Sequence, residues 1–195
     1  RPESRDLNLK HRDRANMKDY KLLIDGKLVS GASTLDVINP ATEEVISKCP
    51  RADLAQLNQA VAAAKKAFTT WSKTPVAERQ RLVNAFADAM AARHEELARQ
   101  LTEEQGKPLP HAMGEIAGAI GMTRYFGSQA LSDKVLRETD DTKIVQQFMP
   151  LGVVAAITPW NFPALLLMLK LPPALIAGNT VVCKPAPTTP LTTLI

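Results

Sequence analysis

From Tyr20 to Val29 two short apolar runs flank Asp25-Gly26, a dipeptide that supplies the positive φ angles of a tight turn, so the pattern opens on a β-hairpin. A turn at Asn39-Pro40 and a short strand around Val45-Ile46 follow. The period then lengthens. Behind a capping Asp53, Leu54, Leu57, Val61, Ala64 and Phe68 recur at alternating three- and four-residue steps, which predicts a helix with one apolar face. Thr74-Pro75 opens a second helix, with proline at its first position and Leu82, Phe86 and Met90 on the buried side. A third helix runs from Glu95 to Glu104 and ends at Gly106, because Pro108 forbids continuation, and helical pattern resumes from His111 to Ala130. In that fourth helix Gly114, Gly118 and Gly121 fall at helical spacing without spelling G-x-G-x-x-G, so close packing is the favoured reading over phosphate binding.

Beyond residue 135 the pattern turns to strands. Thr142 to Phe148 favours β structure and is polar enough for an exposed or intersubunit strand. Val153-Val-Ala-Ala-Ile157 is a continuous small apolar run suited to a strand buried on both faces, and Thr180-Val-Val-Cys-Lys184 is a second. Thr158 to Pro163 makes a turn into a helix predicted over Ala164 to Ala177, and Thr189-Pro190 starts another. Strand, helix and strand in this order describe a parallel βαβ unit, so the fold class is α/β, with a Rossmann-type core behind an N-terminal hairpin and helices. The apolar stretch Pro163 to Val182 has the length of a membrane span, but Lys170, Pro172-Pro173 and Gly178-Asn179 interrupt it, and no transmembrane anchor is expected.

Composition alters this picture little. The chain has 195 residues and is 45% hydrophobic, enough for a buried core. Half of its formal charge of +4 sits in residues 1–16, where Arg1, Arg5, Lys10, Arg12 and Arg14 outnumber Glu3, Asp6 and Asp13. The rest carries no basic stripe, and few aromatics are present for base stacking, so no nucleic-acid partner is expected. Residues 1–16 lack the apolar core of a secretory signal and read as a disordered leader or an added remnant, with Met17 as the natural start. Cys49 and Cys183 are far apart and have no histidine partners at ligand spacing, which argues against a disulfide scaffold or a metal site and suits the cytoplasm.

In an open α/β sheet, ligands lie at the carboxyl ends of the parallel strands. Two such ends are Thr158-Pro-Trp-Asn161 and Lys184-Pro-Ala-Pro187. The block Pro150-Leu-Gly-Val-Val-Ala-Ala-Ile-Thr-Pro-Trp-Asn-Phe-Pro163, with Lys170-Leu-Pro-Pro-Ala-Leu-Ile-Ala-Gly-Asn-Thr-Val-Val-Cys-Lys-Pro185 and Thr189-Pro-Leu191, strongly resembles the aldehyde dehydrogenase superfamily. The resemblance reaches back through Glu104-Gln-Gly-Lys-Pro108, Asn39-Pro-Ala-Thr42 and Ile24-Asp-Gly26, and covers Met17 to Ile195. It implies that Asn161 is an oxyanion-hole side chain, although a helix N-cap is the reading its position alone supports. It implies that Ile157, Thr158, Pro159, Trp160, Lys184, Ala186 and Pro187 contact an NAD or NADP cofactor, with Lys184 on the adenine-side ribose. Without the resemblance, Trp160 reads as core and Lys184 as solvated surface.

Many NAD-preferring members carry glutamate where Pro187 stands, so tolerance of NADP is expected. Phe162, Leu166 and Leu169 lie on one helix face and match substrate-tunnel positions, core packing being the competing explanation. Members acting on carboxylated semialdehydes can place arginine where Leu169 stands, which favours an uncharged aliphatic or aromatic aldehyde here.

The resemblance divides the chain into residues 17–135 as the N-terminal part of a cofactor-binding domain, 136–150 as an oligomerisation strand segment and 151–195 as the start of the parallel core, with a homo-oligomer expected when complete. The catalytic domain, with its nucleophilic cysteine and general-base glutamate, is expected beyond Ile195. Cys183, beside Lys184, is expected to be buried as a small hydrophobe rather than reactive, and Cys49 likewise inert. The chain by itself is therefore expected to be inactive. A non-catalytic dinucleotide-binding or subunit-interaction module is the alternative.

Overall fold

The computed structural model describes residues 18–195, so the leader at 1–16 and the start at Met17 lie outside the described residues. Asp25 and Gly26 take φ of 51° and 71°, as a two-residue hairpin turn requires, and join β1 (Leu22–Ile24) to β2 (Lys27–Val29) antiparallel. The short strand expected near Val45-Ile46 is longer, β4 (Val45–Arg51), and pairs with β3 (Ser33–Ile38), which the pattern did not announce. Leu35 and Val37 alternate with Thr34 and Asp36 along β3, and a register shift at its end separates Val37 from Ile38. Asn39 organises the connecting turn, its carbonyl accepting from the Glu43 N–H at 2.8 Å and its side chain from the Ala41 N–H at 2.9 Å.

Four helices follow, α1 (Leu54–Trp71), α2 (Val76–Ala92), α3 (His94–Gln105) and α4 (Leu109–Gly127). Asp53 caps α1 as expected, accepting from the Gln56 N–H at 2.8 Å. Of the apolar face assigned to α1, however, only Ala64 is buried, and Leu54 and Leu57 are exposed. In α2 the buried positions are Arg79, Val83, Ala87 and Met90, while Leu82 and Phe86 face outward. The buried stripe is rotated by one residue because the small, fully buried Ala87 permits a close approach of α2 to α4. Pro75 is the N-cap of α2 rather than its first residue. Gly106, at φ 86°, ends α3 in the left-handed conformation that lets its N–H reach the Thr102 carbonyl. Packing explains only part of the α4 glycine spacing. A side chain at Gly118 would meet Leu165 at 3.6 Å, whereas Gly114 and Gly121 face open space.

An exposed antiparallel hairpin, β5 (Lys134–Glu138) and β6 (Lys143–Gln146), precedes the parallel pair. β7 (Val153–Ile157) and β8 (Thr180–Lys184) run parallel in continuous register, from Val153 opposite Thr180 to Ile157 opposite Lys184. Between them the single helix expected over Ala164 to Ala177 is two, α5 (Pro163–Met168) and α6 (Leu171–Ile176). Pro172 and Pro173 have no N–H to bond Met168 and Leu169, and their rings clash with those carbonyls, so the helix breaks at Lys170. A final short helix, α7 (Leu191–Leu194), follows Pro190.

The main core gathers Leu97, Leu101, Ile116, Ala119, Ala156 and Leu167 from α3, α4, β7 and α5. Neither parallel strand is buried on both faces as expected. Ala156 lies in the core, but Ala155 and Ile157 on the opposite face are exposed. Cys183 is exposed although it pairs with the buried Ala156, which corrects the expectation that it is buried. Among the described residues no helix is long and apolar enough to cross a membrane.

Candidate functional site

The carboxyl ends of β7 and β8 are held by polar contacts at the opposite ends of the same strands. The Asn179 side-chain oxygen accepts from the Leu151 and Gly152 N–H groups at 2.7 and 3.0 Å, tying the start of β7 to the residue that precedes β8. The Thr180 hydroxyl donates to the Ala64 carbonyl at 2.8 Å, anchoring β8 on α1. With the strand starts fixed, the register brings Ile157 opposite Lys184, and the Thr158 N–H donates to the Lys184 carbonyl at 3.1 Å.

At this end Ile157 is 62% exposed and Trp160 59% exposed. Trp160 is not a core residue, because Pro159 and the turn carry it away from the packed face of β7. Pro159 is exposed, and Thr158 is buried with a hydroxyl that finds no hydrogen-bond partner among the described residues. Lys184 is exposed, its ammonium donating to the Pro185 carbonyl at 3.1 Å. Ala186 is buried and its carbonyl closes a turn by accepting from the Thr189 N–H, leaving Pro187 exposed between them. Trp160 and Pro187 line one open cleft of about 530 Å³, which also reaches Asp36, Glu104 and Thr189. The two strand ends therefore share a cleft.

Asn161 and Phe162 line a second cleft of about 580 Å³ with Lys107, His111 and Glu115. Asn161 is exposed, and the N-cap reading of its side chain fails. The N-cap of α5 is Phe162, and the orphan N–H groups of Ala164 and Leu165 are taken instead by the Glu115 carboxylate, at 3.0 and 3.2 Å. Along α5, Ala164, Leu167 and Met168 fill the core, whereas Phe162 and Leu169 are exposed and Leu166 is half-buried. The face bearing Phe162, Leu166 and Leu169 thus points away from the core that was the competing explanation for it.

Three charged residues were given no role by sequence reasoning. Lys107 and Glu115 form an ion pair whose side chains are 10% and 0% exposed. Lys107 Nζ also donates to the Asn161 carbonyl at 3.0 Å and lies 4.2 Å from the centroid of the Phe162 ring. Glu104, also buried, accepts from the Leu191 and Thr192 N–H groups at 2.6 and 2.9 Å and so caps α7. Burial raises its carboxyl to about 7, against the lowering effect of the bonds from Thr192 and Leu191 and with a smaller contribution from the charge of Glu115. A carboxylate at position 115, among the apolar positions Ala112, Ile116 and Ala119 of one helix face, was the signal available in the sequence.

Neither cysteine is activated. Burial pushes the Cys49 thiol up to about 11, helped by the charge of Glu104. At Cys183 solvent reaches the residue, yet the neighbouring protein still desolvates the thiolate and pushes the thiol up to about 11. Among the described residues no cluster of three or more His, Cys, Asp or Glu side chains is placed to hold a metal ion.

The sequence model described as "Aldehyde dehydrogenase family" matches residues 28–195. This chain belongs to the aldehyde dehydrogenase family. It is 40% identical over 188 residues to glutarate-semialdehyde dehydrogenase of Pseudomonas aeruginosa, a match spanning 91% of this chain and 39% of that protein. It is 38% identical to D-glyceraldehyde dehydrogenase (NADP(+)) of Thermoplasma acidophilum, over 88% of this chain and 36% of that one. Among solved structures it superposes on a double mutant of betaine aldehyde dehydrogenase from Staphylococcus aureus in complex with NAD+, with a TM-score of 0.85, 33% identity, and coverage of 90% of this chain and 36% of that one. The family member described here thus spans well under half the length of the curated relatives it matches. The mixed α/β fold is that of the aldehyde dehydrogenases.

Proposed function

We propose that this chain supplies the cofactor-contacting strand ends and the oxyanion-stabilising amide for NAD(P)-dependent oxidation of an aldehyde to a carboxylic acid. The observation that carries this reading is the register that sets Ile157 opposite Lys184 at the carboxyl ends of two parallel strands, with Trp160 and Asn161 on the loop that follows lining two open clefts. The residues fit a dinucleotide. Exposed Ile157 and Trp160 offer apolar surface for ring systems, and Lys184 offers an ammonium donor to ribose hydroxyls or phosphate. The dinucleotide, when bound, supplies the hydride acceptor.

The role of Asn161 is to donate its amide N–H to the aldehyde oxygen as negative charge develops there, an interaction stronger in the transition state than in the ground state. The attacking thiolate is assigned to residues other than these, since both thiols here lie near 11 and are almost wholly protonated at neutral pH. In a polypeptide that carries this chain together with its nucleophile, Asn161→Ala should lower kcat by about 10²–10³ while leaving dinucleotide affinity unchanged. A loss below about threefold, under ~0.7 kcal/mol, refutes the assignment.

The face of Phe162, Leu166 and Leu169 is proposed to meet the substrate, and the apolar Leu169 supports an uncharged aldehyde. The relatives named for glutarate and succinate semialdehydes favour the second reading, a small aldehyde bearing a carboxylate. Comparison of kcat/KM for hexanal and succinic semialdehyde decides between them. Hexanal is expected to be the better substrate, and the reverse order assigns the second reading.

A further inference from the structure

We propose that the buried Lys107–Glu115 ion pair is a positioning device that sets the backbone carrying Asn161, an inference that rests on Asn161 being the oxyanion donor. The pair grips the loop from both sides. Lys107 Nζ holds the Asn161 carbonyl at 3.0 Å and covers the Phe162 ring, while one oxygen of Glu115 holds the Ala164 and Leu165 N–H groups at 3.0 and 3.2 Å. The other Glu115 oxygen binds Lys107. Every backbone group so engaged lies within four residues of Asn161, whose own side chain is left free to face the cleft.

The two charges come from the α3–α4 connection and from α4, so the loop after β7 is referenced to the rigid helical layer rather than to its own strand. Burial makes the arrangement unforgiving. Each charge has lost water and is compensated only by the other and by these backbone groups, which leaves a single geometry in which all are satisfied. A donor misplaced by about 1 Å loses on the order of 100-fold in rate, so a device of this kind acts on turnover without touching substrate.

The test separates positioning from folding. In a polypeptide that carries this chain and its nucleophile, Lys107→Met should lower kcat by about 100-fold with the dinucleotide KM unchanged. The single change also lowers the melting temperature, because Glu115 is left buried and unpaired. Adding Glu115→Gln removes that charge, and the double variant should recover the melting temperature but not kcat. Recovery of both together overturns the proposal, since the pair would then serve stability alone. Crystal structures of wild type and the double variant provide a readout independent of activity. The Asn161 side chain is expected to be displaced, and superposable positions overturn the proposal. A wild-type polypeptide that forms no reduced dinucleotide defeats the proposed function instead, and the crystallographic comparison still decides the positioning claim.

Discussion

Single residues carry most of what is specific to this chain. Glu104 is kept from water and raised to about 7, chiefly by burial, although two backbone N–H groups favour its charged form. Because the folded state holds the proton more tightly than the unfolded chain, the stabilisation from the protonated acid is fully present below the ordinary value of 4.5 and is lost as pH rises through about 7. Relative to Glu104→Gln, the wild-type melting temperature should therefore decline between pH 5 and pH 8, by the equivalent of at most about 3 kcal/mol. Parallel melting curves for the two proteins across that range would show that the carboxyl titrates normally. Pro187 makes a different kind of statement. It stands exposed on the cleft beside Trp160, and proline neither accepts ribose hydroxyl hydrogen bonds through its side chain nor repels a phosphate. Tolerance of NADP is the expected outcome, and Pro187→Glu should shift preference toward NAD. Discrimination against NADP in kcat/KM by the wild type of more than about a hundredfold, ~2.7 kcal/mol, contradicts it.

At the scale of elements, the hairpin of β5 and β6 stands apart, since all its residues are exposed and Val135, Leu136, Ile144 and Val145 offer apolar surface to solvent. Exposed strand edges with apolar side chains are a template for pairing with another chain. We propose that this hairpin, which overlaps the segment expected from the resemblance to carry oligomerisation, would form the contact between subunits of a homo-oligomer. Introducing charge with Leu136→Lys and Ile144→Lys should lower the mass measured by analytical ultracentrifugation while the far-ultraviolet spectrum is kept, and an unchanged mass removes the hairpin from the interface. The helices teach a different lesson about legibility. Local chemistry placed several of their ends, as the Asp53 cap, the left-handed Gly106 and the proline that precedes α2 show, whereas α4 begins two residues before the expected His111. It did not place their buried faces, because in α2 Leu82 and Phe86 are more hydrophobic than Ala87 yet the small residue is the one that lets two helices approach. β3 was missed because its alternation spans only Thr34 to Val37, and β5 because both of its faces are exposed, which leaves no buried face to set an alternation.

For the molecule as a whole, the partial exposure of the parallel pair is a main difference between expectation and structure. Continuous apolar runs in β7 and β8 promise burial on both faces, but Ala155, Ile157 and Cys183 are exposed. By itself the sequence determined the family, the first hairpin, the strand–helix–strand order of the parallel core and the residues at its two strand ends, because turn chemistry, proline placement and the Pro-Trp-Asn-Phe-Pro block act over a few residues of chain. Only the tertiary structure decided which helix faces are buried, that Asn161 is not the cap of α5, and that Lys107 and Glu115 grip its loop. The last two outcomes depend on residues 49 to 54 positions apart in the sequence, Glu115 with Ala164 and Leu165 and Lys107 with Asn161, meeting at hydrogen-bond distance. Charge pairing and desolvation at such separations leave no periodic trace along the chain, since they are fixed by packing of whole helices rather than by neighbours in sequence.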